Sequence, residues 1–182
     1  MKAQDMSTIH SDTLAKKLGT TTHLSPLLHK LKRLGLSTPS DLEDLAIVRG
    51  LDYYGKVRDL ANSRNASLSQ EELAIALLSP SLPYSLNRLR MAGAILGGDN
   101  LCIDELVLLS RKERCEVALR HIAEMGHKVE PSNPFWESLL LRIPPSSRVP
   151  VDILPHLTRF VTYSGIDRNG RVPRMQWIRA SL

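Results

Sequence analysis

The 182 residues predict a mainly α-helical fold, an irregular bundle of about eight short helices with a C-terminal β-hairpin. Three observations carry this prediction. Ser-Pro, Thr-Pro and Asn-Pro pairs, together with Ser-x-x-Glu boxes, stand immediately ahead of leucine-rich stretches. Within those stretches the leucines and alanines recur at helical spacing. Strand-forming residues gather instead after Phe160, on either side of an Asn169-Gly170 turn signal.

Taken in order, Ser25 offers an N-cap and Pro26 occupies the first helical turn. Leu27, Leu28, Leu31 and Leu34 then share a face, and Gly35 can close the helix in the left-handed conformation. Thr38-Pro39 repeats the start signal, Leu42, Leu45 and Ala46 follow, and Gly50 ends the run. Ser69-Gln70-Glu71-Glu72 is a capping box ahead of Leu73, Ala76 and Leu77. The next helix starts near Pro83 and runs through Leu86, Leu89 and Ala92 to Gly97-Gly98. Ser110-Arg111-Lys112-Glu113 reads as a second capping box, opening a helix whose Ala118, Leu119, Ile122 and Met125 share a face until Gly126 stops it. Asn133-Pro134 starts one more, with Phe135, Trp136, Leu139, Leu140 and Ile143. Arg142 to Pro155, rich in proline and serine, is the linker candidate. Phe160 to Tyr163 and Val172 to Ile178 are the two strands, with Pro173 marking the second as an edge or as interrupted early. The expected organisation is therefore a helical domain over 1–145 and a linker with hairpin over 146–182, packing on the same domain.

A composition of 42% hydrophobic and 24% charged residues is that of an ordinary globular domain. No apolar run approaches the ~20 residues that span a bilayer, and the polar N-terminus does not read as a signal-peptide core, which points to the cytoplasm. Cys102 and Cys115 lie in no ligand or disulfide spacing and read as two buried, reduced thiols. Six histidines include no pair at helical metal-site spacing, and Rossmann, phosphate-loop and nucleophile-elbow signatures are absent, so no metal or cofactor is expected. Glu71-Glu72 and Asp104-Glu105 are explained by the favourable position of acids at helix starts. The chain reads as a binding module rather than an enzyme. Catalysis would need a pocket assembled from distant residues.

Charge supplies the functional hint. The net +5 divides into +4 over residues 1–40, −3 over 41–130, zero over 131–158 and +4 from Arg159 onward. Two basic ends that met would make one surface attractive to phosphates.

The stretch Leu31-Lys32-Arg33-x-Gly35-Leu36-x-Thr38-x-x-Asp41-Leu42 resembles the helix-hairpin-helix element of the C-terminal domain of the RNA polymerase α subunit and related five-helix DNA-binding domains. The resemblance covers about twenty residues and implies close packing of two helices across the glycine turn, with backbone amides approaching DNA phosphates. That family has a second glycine hairpin downstream; here only Tyr53-Tyr54-Gly55-Lys56 stands near that place, at a shorter spacing. Leu68 to Ala74 also looks like the first helix of helix-turn-helix regulators, but the following Leu78 to Pro83 is too long and has two prolines where a recognition helix would begin.

The candidate contact residues are thus Lys30, Lys32, Arg33 and Gly35 near the N-terminus, and Arg159, Arg168, Arg171, Arg174, Trp177 and Arg179 near the C-terminus. The latter interleave with Phe160 and Tyr163. Arginine with aromatic side chains suits a protein interface, a second copy of the chain included, and it equally suits nucleic acid. A third reading has Phe160 and Trp177 covering the helical core while the arginines face water.

Overall fold

The computed structural model describes residues 12–20, 25–55, 67–145, 153–164 and 174–180. Among these, the helices are α1 (Leu14–Lys17), α2 (Pro26–Arg33), α3 (Pro39–Val48), α4 (Gln70–Leu77), α5 (Leu86–Leu96), α6 (Ile103–Glu113), α7 (Glu116–Val129) and α8 (Pro134–Arg142). Short 3-10 turns at Asp52–Tyr54 and Leu157–Arg159 and an antiparallel hairpin of β1 (Val161–Ser164) and β2 (Arg174–Trp177) complete it. The mainly helical bundle closed by a hairpin is the fold the sequence predicts.

Local capping explains most helix starts. The Ser25 hydroxyl accepts from the Leu28 amide at 2.9 Å, Ser69 and Glu72 form a reciprocal capping box, and so do Thr38 and Asp41. Gly35 turns the chain after α2 with φ +82°, the left-handed conformation in which a side chain is strained. The α4 helix is buried nearly all round and packs against α2, α3, α5 and α6, which makes it the axis of the bundle.

Two expectations are corrected. Ser110 opens no helix: it lies inside α6, where its hydroxyl donates to the Val107 carbonyl at 2.9 Å. The break falls four residues later, at Arg114, whose left-handed φ of +54° ends α6. Glu113, the other half of the supposed box, points into the core and accepts from the Leu27 amide at the start of α2 at 3.0 Å. Gly126 does not stop α7, which runs on to Val129. Its missing side chain instead makes room for Trp136 of α8, since a Cβ there would come within 3.0 Å of the indole. Helix α1, four residues long, carries too short a pattern to announce itself. It is held by backbone hydrogen bonds from Leu14 to Leu82 and from Ala15 to Pro80.

Tyr84 ties the segment around α1 and the segment ahead of the hairpin to one loop. Its amide donates to the Asp12 carbonyl at 2.7 Å, its hydroxyl donates to the Ile153 carbonyl at 2.7 Å, and Lys17 lies over its ring. The basic helix α2 packs elsewhere, on α4 and α6.

Candidate interaction surface at the hairpin

The hairpin is seated on the bundle by aromatic side chains received into glycine gaps. Phe160 and Trp177 stack with ring centroids 5.1 Å apart and planes 9° from parallel, and Trp136 meets Trp177 at 5.2 Å. All three are buried. On α5, Gly93 and Gly97 lie one helical turn apart, and this is the spacing that aligns them on one face. A Cβ at Gly93 would stand 2.6 Å from the Phe160 ring, and one at Gly97 would stand within 3.0 Å of Trp177. The Trp177 indole N–H donates to the Gly93 carbonyl at 2.9 Å, which satisfies the one polar atom of an otherwise apolar side chain in the core. Trp177 is therefore a core residue rather than a contact residue, and the reading in which Phe160 and Trp177 cover the helices is the one the structure shows.

The register of the hairpin then dictates what lies beyond the core. Val161 pairs with Trp177, both buried, and Tyr163 pairs with Met175 two residues further out on the same face. Tyr163 is 54% exposed and Met175 42%. A face that is apolar where it closes the bundle thus continues outward as an exposed Tyr–Met pair. Beside it lies a cleft of about 520 Å³ between β2 and the α7–α8 connection, lined by Val129 to Asn133, Met175, Gln176, Trp177 and Arg179.

Glu130 organises the polar wall of this cleft. Its carboxylate accepts from Arg179 at 2.6 Å, from Asn133 at 3.1 Å and from the Trp136 indole N–H at 3.1 Å. Partial burial pushes its carboxyl upward, but these three donors and the Arg179 charge outweigh that and hold it below the ordinary glutamate range. Arg179 also approaches Asp99 at 3.8 Å, so two acids share its charge.

The other candidate residues are dispersed. Lys30 donates to Glu72 at 2.5 Å, while Lys32 and Arg33 are exposed on the last turn of α2 beside Gly35. Arg159 is exposed at the 3-10 turn before β1, and its carbonyl accepts from Arg90, whose guanidinium lies over the Tyr54 ring. Arg168 and Arg171 fall outside the described residues, and of Arg174 only the backbone, in β2, is described. At the start of α3, where the helix-hairpin-helix resemblance would place a phosphate, the Thr38 and Asp41 amides already donate to the Asp41 carboxylate and the Thr38 hydroxyl.

Sequence reasoning missed Met175 and Glu130. Counting back by two from a buried Trp177 finds the first. Nothing in the sequence marks the second, since Arg179 lies 49 residues away. Glu71 lies in the first turn of α4 as the sequence suggests, and its carboxylate also accepts from the Cys102 amide at the start of α6 at 2.7 Å, a contact 31 residues away that the sequence does not mark. Among the described residues no group of three or more His, Cys, Asp or Glu could hold a metal, and no helix is long and apolar enough to cross a membrane. Only one of the two thiols expected to be buried is so: Cys102, at the N-cap of α6, is exposed, whereas burial pushes the Cys115 thiol far up and keeps it protonated. His121 meets the Pro155 carbonyl at 2.8 Å and so spends a ring nitrogen on holding the connection ahead of β1.

No family model matches this chain, and no similar curated protein or solved structure was found.

Proposed function

We propose that this protein is a helical interaction module that docks another protein through its C-terminal hairpin. One observation carries the reading: the Tyr163–Met175 pair is exposed on the face whose inner pair, Val161–Trp177, is locked into the core. On this rigid support Tyr163 offers a large contact area with few rotatable bonds, and the flexible Met175 thioether can adapt to the shape of a partner. The adjoining cleft, with Gln176 and the Glu130–Arg179 pair in its wall, adds polar groups that would fix the orientation of a bound segment.

The test is photo-crosslinking from position 163, with a second probe at exposed Lys128 on the other side of the Val129 turn. Efficient adduct formation with a discrete protein from 163, reduced severalfold by Met175→Ser, supports the reading. Adducts of equal yield from both positions, or none from either, would remove it.

A second reading, nucleic-acid binding, is favoured by the exposed Lys32 and Arg33, neither of which has an acidic partner among the described residues. It predicts affinity for random-sequence DNA that falls by orders of magnitude between about 50 and about 200 mM salt. Pairing of Lys30 with Glu72 and of Arg179 with Glu130 reduces the charge available for it.

A further inference from the structure

Strand β2 has one edge to spare. The Ile178 amide donates to the Phe160 carbonyl at 2.9 Å, which fixes the phase of the ladder. Bonded and non-bonded positions alternate along an antiparallel pair, so Gln176 turns its N–H and C=O toward Thr162, while Met175 and Trp177 turn theirs away from β1. Among the described residues neither Met175 nor Trp177 has a backbone partner on that outer side. The cleft beside the hairpin lies along the same edge. It touches Met175 and Trp177 from one face of β2, Gln176 from the other, and no described residue of β1, which places it at the side of the strand rather than over a face. Its far wall is the α7–α8 connection, Val129 to Asn133.

Outward donors and acceptors two residues apart are matched by a chain in the extended conformation, and by no helix, whose backbone groups are spent internally. A strand takes about 4.8 Å of width, about 10 Å of depth and about 3.3 Å per residue, so a cleft of about 520 Å³ holds about three residues of one added strand. A second hairpin of this chain, two strands wide and backed by its own bundle, is too large for that space. Charge narrows the occupant further. Glu130 and Arg179, the described ionised groups in the cleft wall, pair with each other at 2.6 Å, so the wall offers no net charge to a ligand. A segment with apolar side chains beside Met175 and uncharged polar ones beside Gln176 continues the pattern of both faces of β2.

We infer that the partner binds as a strand: an extended, uncharged segment of another protein, alternately apolar and polar, adds to the outer edge of β2 and lies in the cleft. This rests on the docking role proposed above and names the form the partner takes. The probe is a phage-displayed library of random heptapeptides on the full chain, followed by synthetic copies of the enriched peptides. These are expected to alternate with a period of two, and N-methylation at the residues facing β2 is expected to weaken binding by at least about tenfold, with little effect at the residues between. Met175→Pro removes an outward amide that β1 does not use and is expected to weaken the same peptides by at least about tenfold. Met175→Ala, which removes the side chain and keeps the amide, weakens them less. Circular dichroism and tryptophan fluorescence show whether the hairpin stays seated, and where Met175→Pro unseats it the N-methyl series decides. No enriched peptide, enrichment with helical spacing, or binding indifferent to N-methylation overturns the inference. So does a doubled molar mass that Met175→Pro returns to that of one chain, which would make the occupant a second copy. Discrete adducts from position 163 beside any of these results would leave the docking role standing and remove only the added strand.

Discussion

The Trp177 indole N–H donates to the Gly93 carbonyl while its ring fills the space that a side chain on Gly97 would occupy. One residue of the hairpin thus uses two glycines of α5, one for its backbone and one for its emptiness. Trp177→Ala is expected to cost about 3–5 kcal/mol, the range for removing a large buried aromatic side chain. Gly97→Ala, which forces the indole aside, is expected to cost about 1–3 kcal/mol. Urea denaturation of the two variants beside wild type measures both. A loss under ~0.5 kcal/mol for either would show that the seat tolerates repacking.

The Glu130 cluster makes stability depend on pH in one direction. Its carboxyl is held below the ordinary glutamate range in the folded state, so the unfolded chain binds the proton more readily. Its contribution is complete above that range and is lost as the pH falls through the folded-state value. Denaturation midpoints between about pH 7 and about pH 3 are therefore expected to drop less steeply in Glu130→Gln than in wild type. An unchanged slope would assign no linkage to this group.

Glu71 and Glu113 are buried acceptors for amides of other helices. Glu71→Ala and Glu113→Ala each leave such an amide without its acceptor and are expected to cost about 1–3 kcal/mol. Lys128→Ala, at an exposed position, should change stability by less than about 0.5 kcal/mol. Equal small effects at all three positions would mean that water replaces the carboxylates.

The two thiols should separate cleanly. Cys102 is exposed and Cys115 buried, the latter with its thiol held protonated. An aromatic disulfide reagent is expected to release one equivalent of thiolate from the native protein and a second only after unfolding. Simultaneous reaction of both would reveal opening of the α6–α7 junction under native conditions.

Helix starts were legible in the sequence because their causes are local. Ser25, Thr38, Ser69 and Asn133 each cap an amide two or three residues away, and each begins a helix. Ser110 defeats the same rule because Ser-x-x-Glu is only half of the signal. The other half is whether the preceding residues have already become helical, and here Ile103 to Leu109 have. Gly126 invites reading as punctuation, but its reason is Trp136; Gly97 does end α5 as the sequence suggests, and its missing side chain also makes room for Trp177. Sequence reading at the candidate site could name Tyr163 and Trp177 as a pair of aromatic residues in a hairpin. It offered burial of Phe160 and Trp177 as one reading beside the contact readings, but it could not supply the reason, which is the depth at which two glycines of a remote helix receive the indole.

The glycine face of α5 also orders events in time. Trp177 follows its hydrogen-bond acceptor by 84 residues, so during synthesis the helices reach the solvent with that groove still open. Until Phe160 and Trp177 arrive, the glycine face of α5 is available to any apolar segment, including that of a neighbouring nascent chain. The hairpin is accordingly the last part of the core to be delivered, and the step at which a folding intermediate becomes inert toward its neighbours.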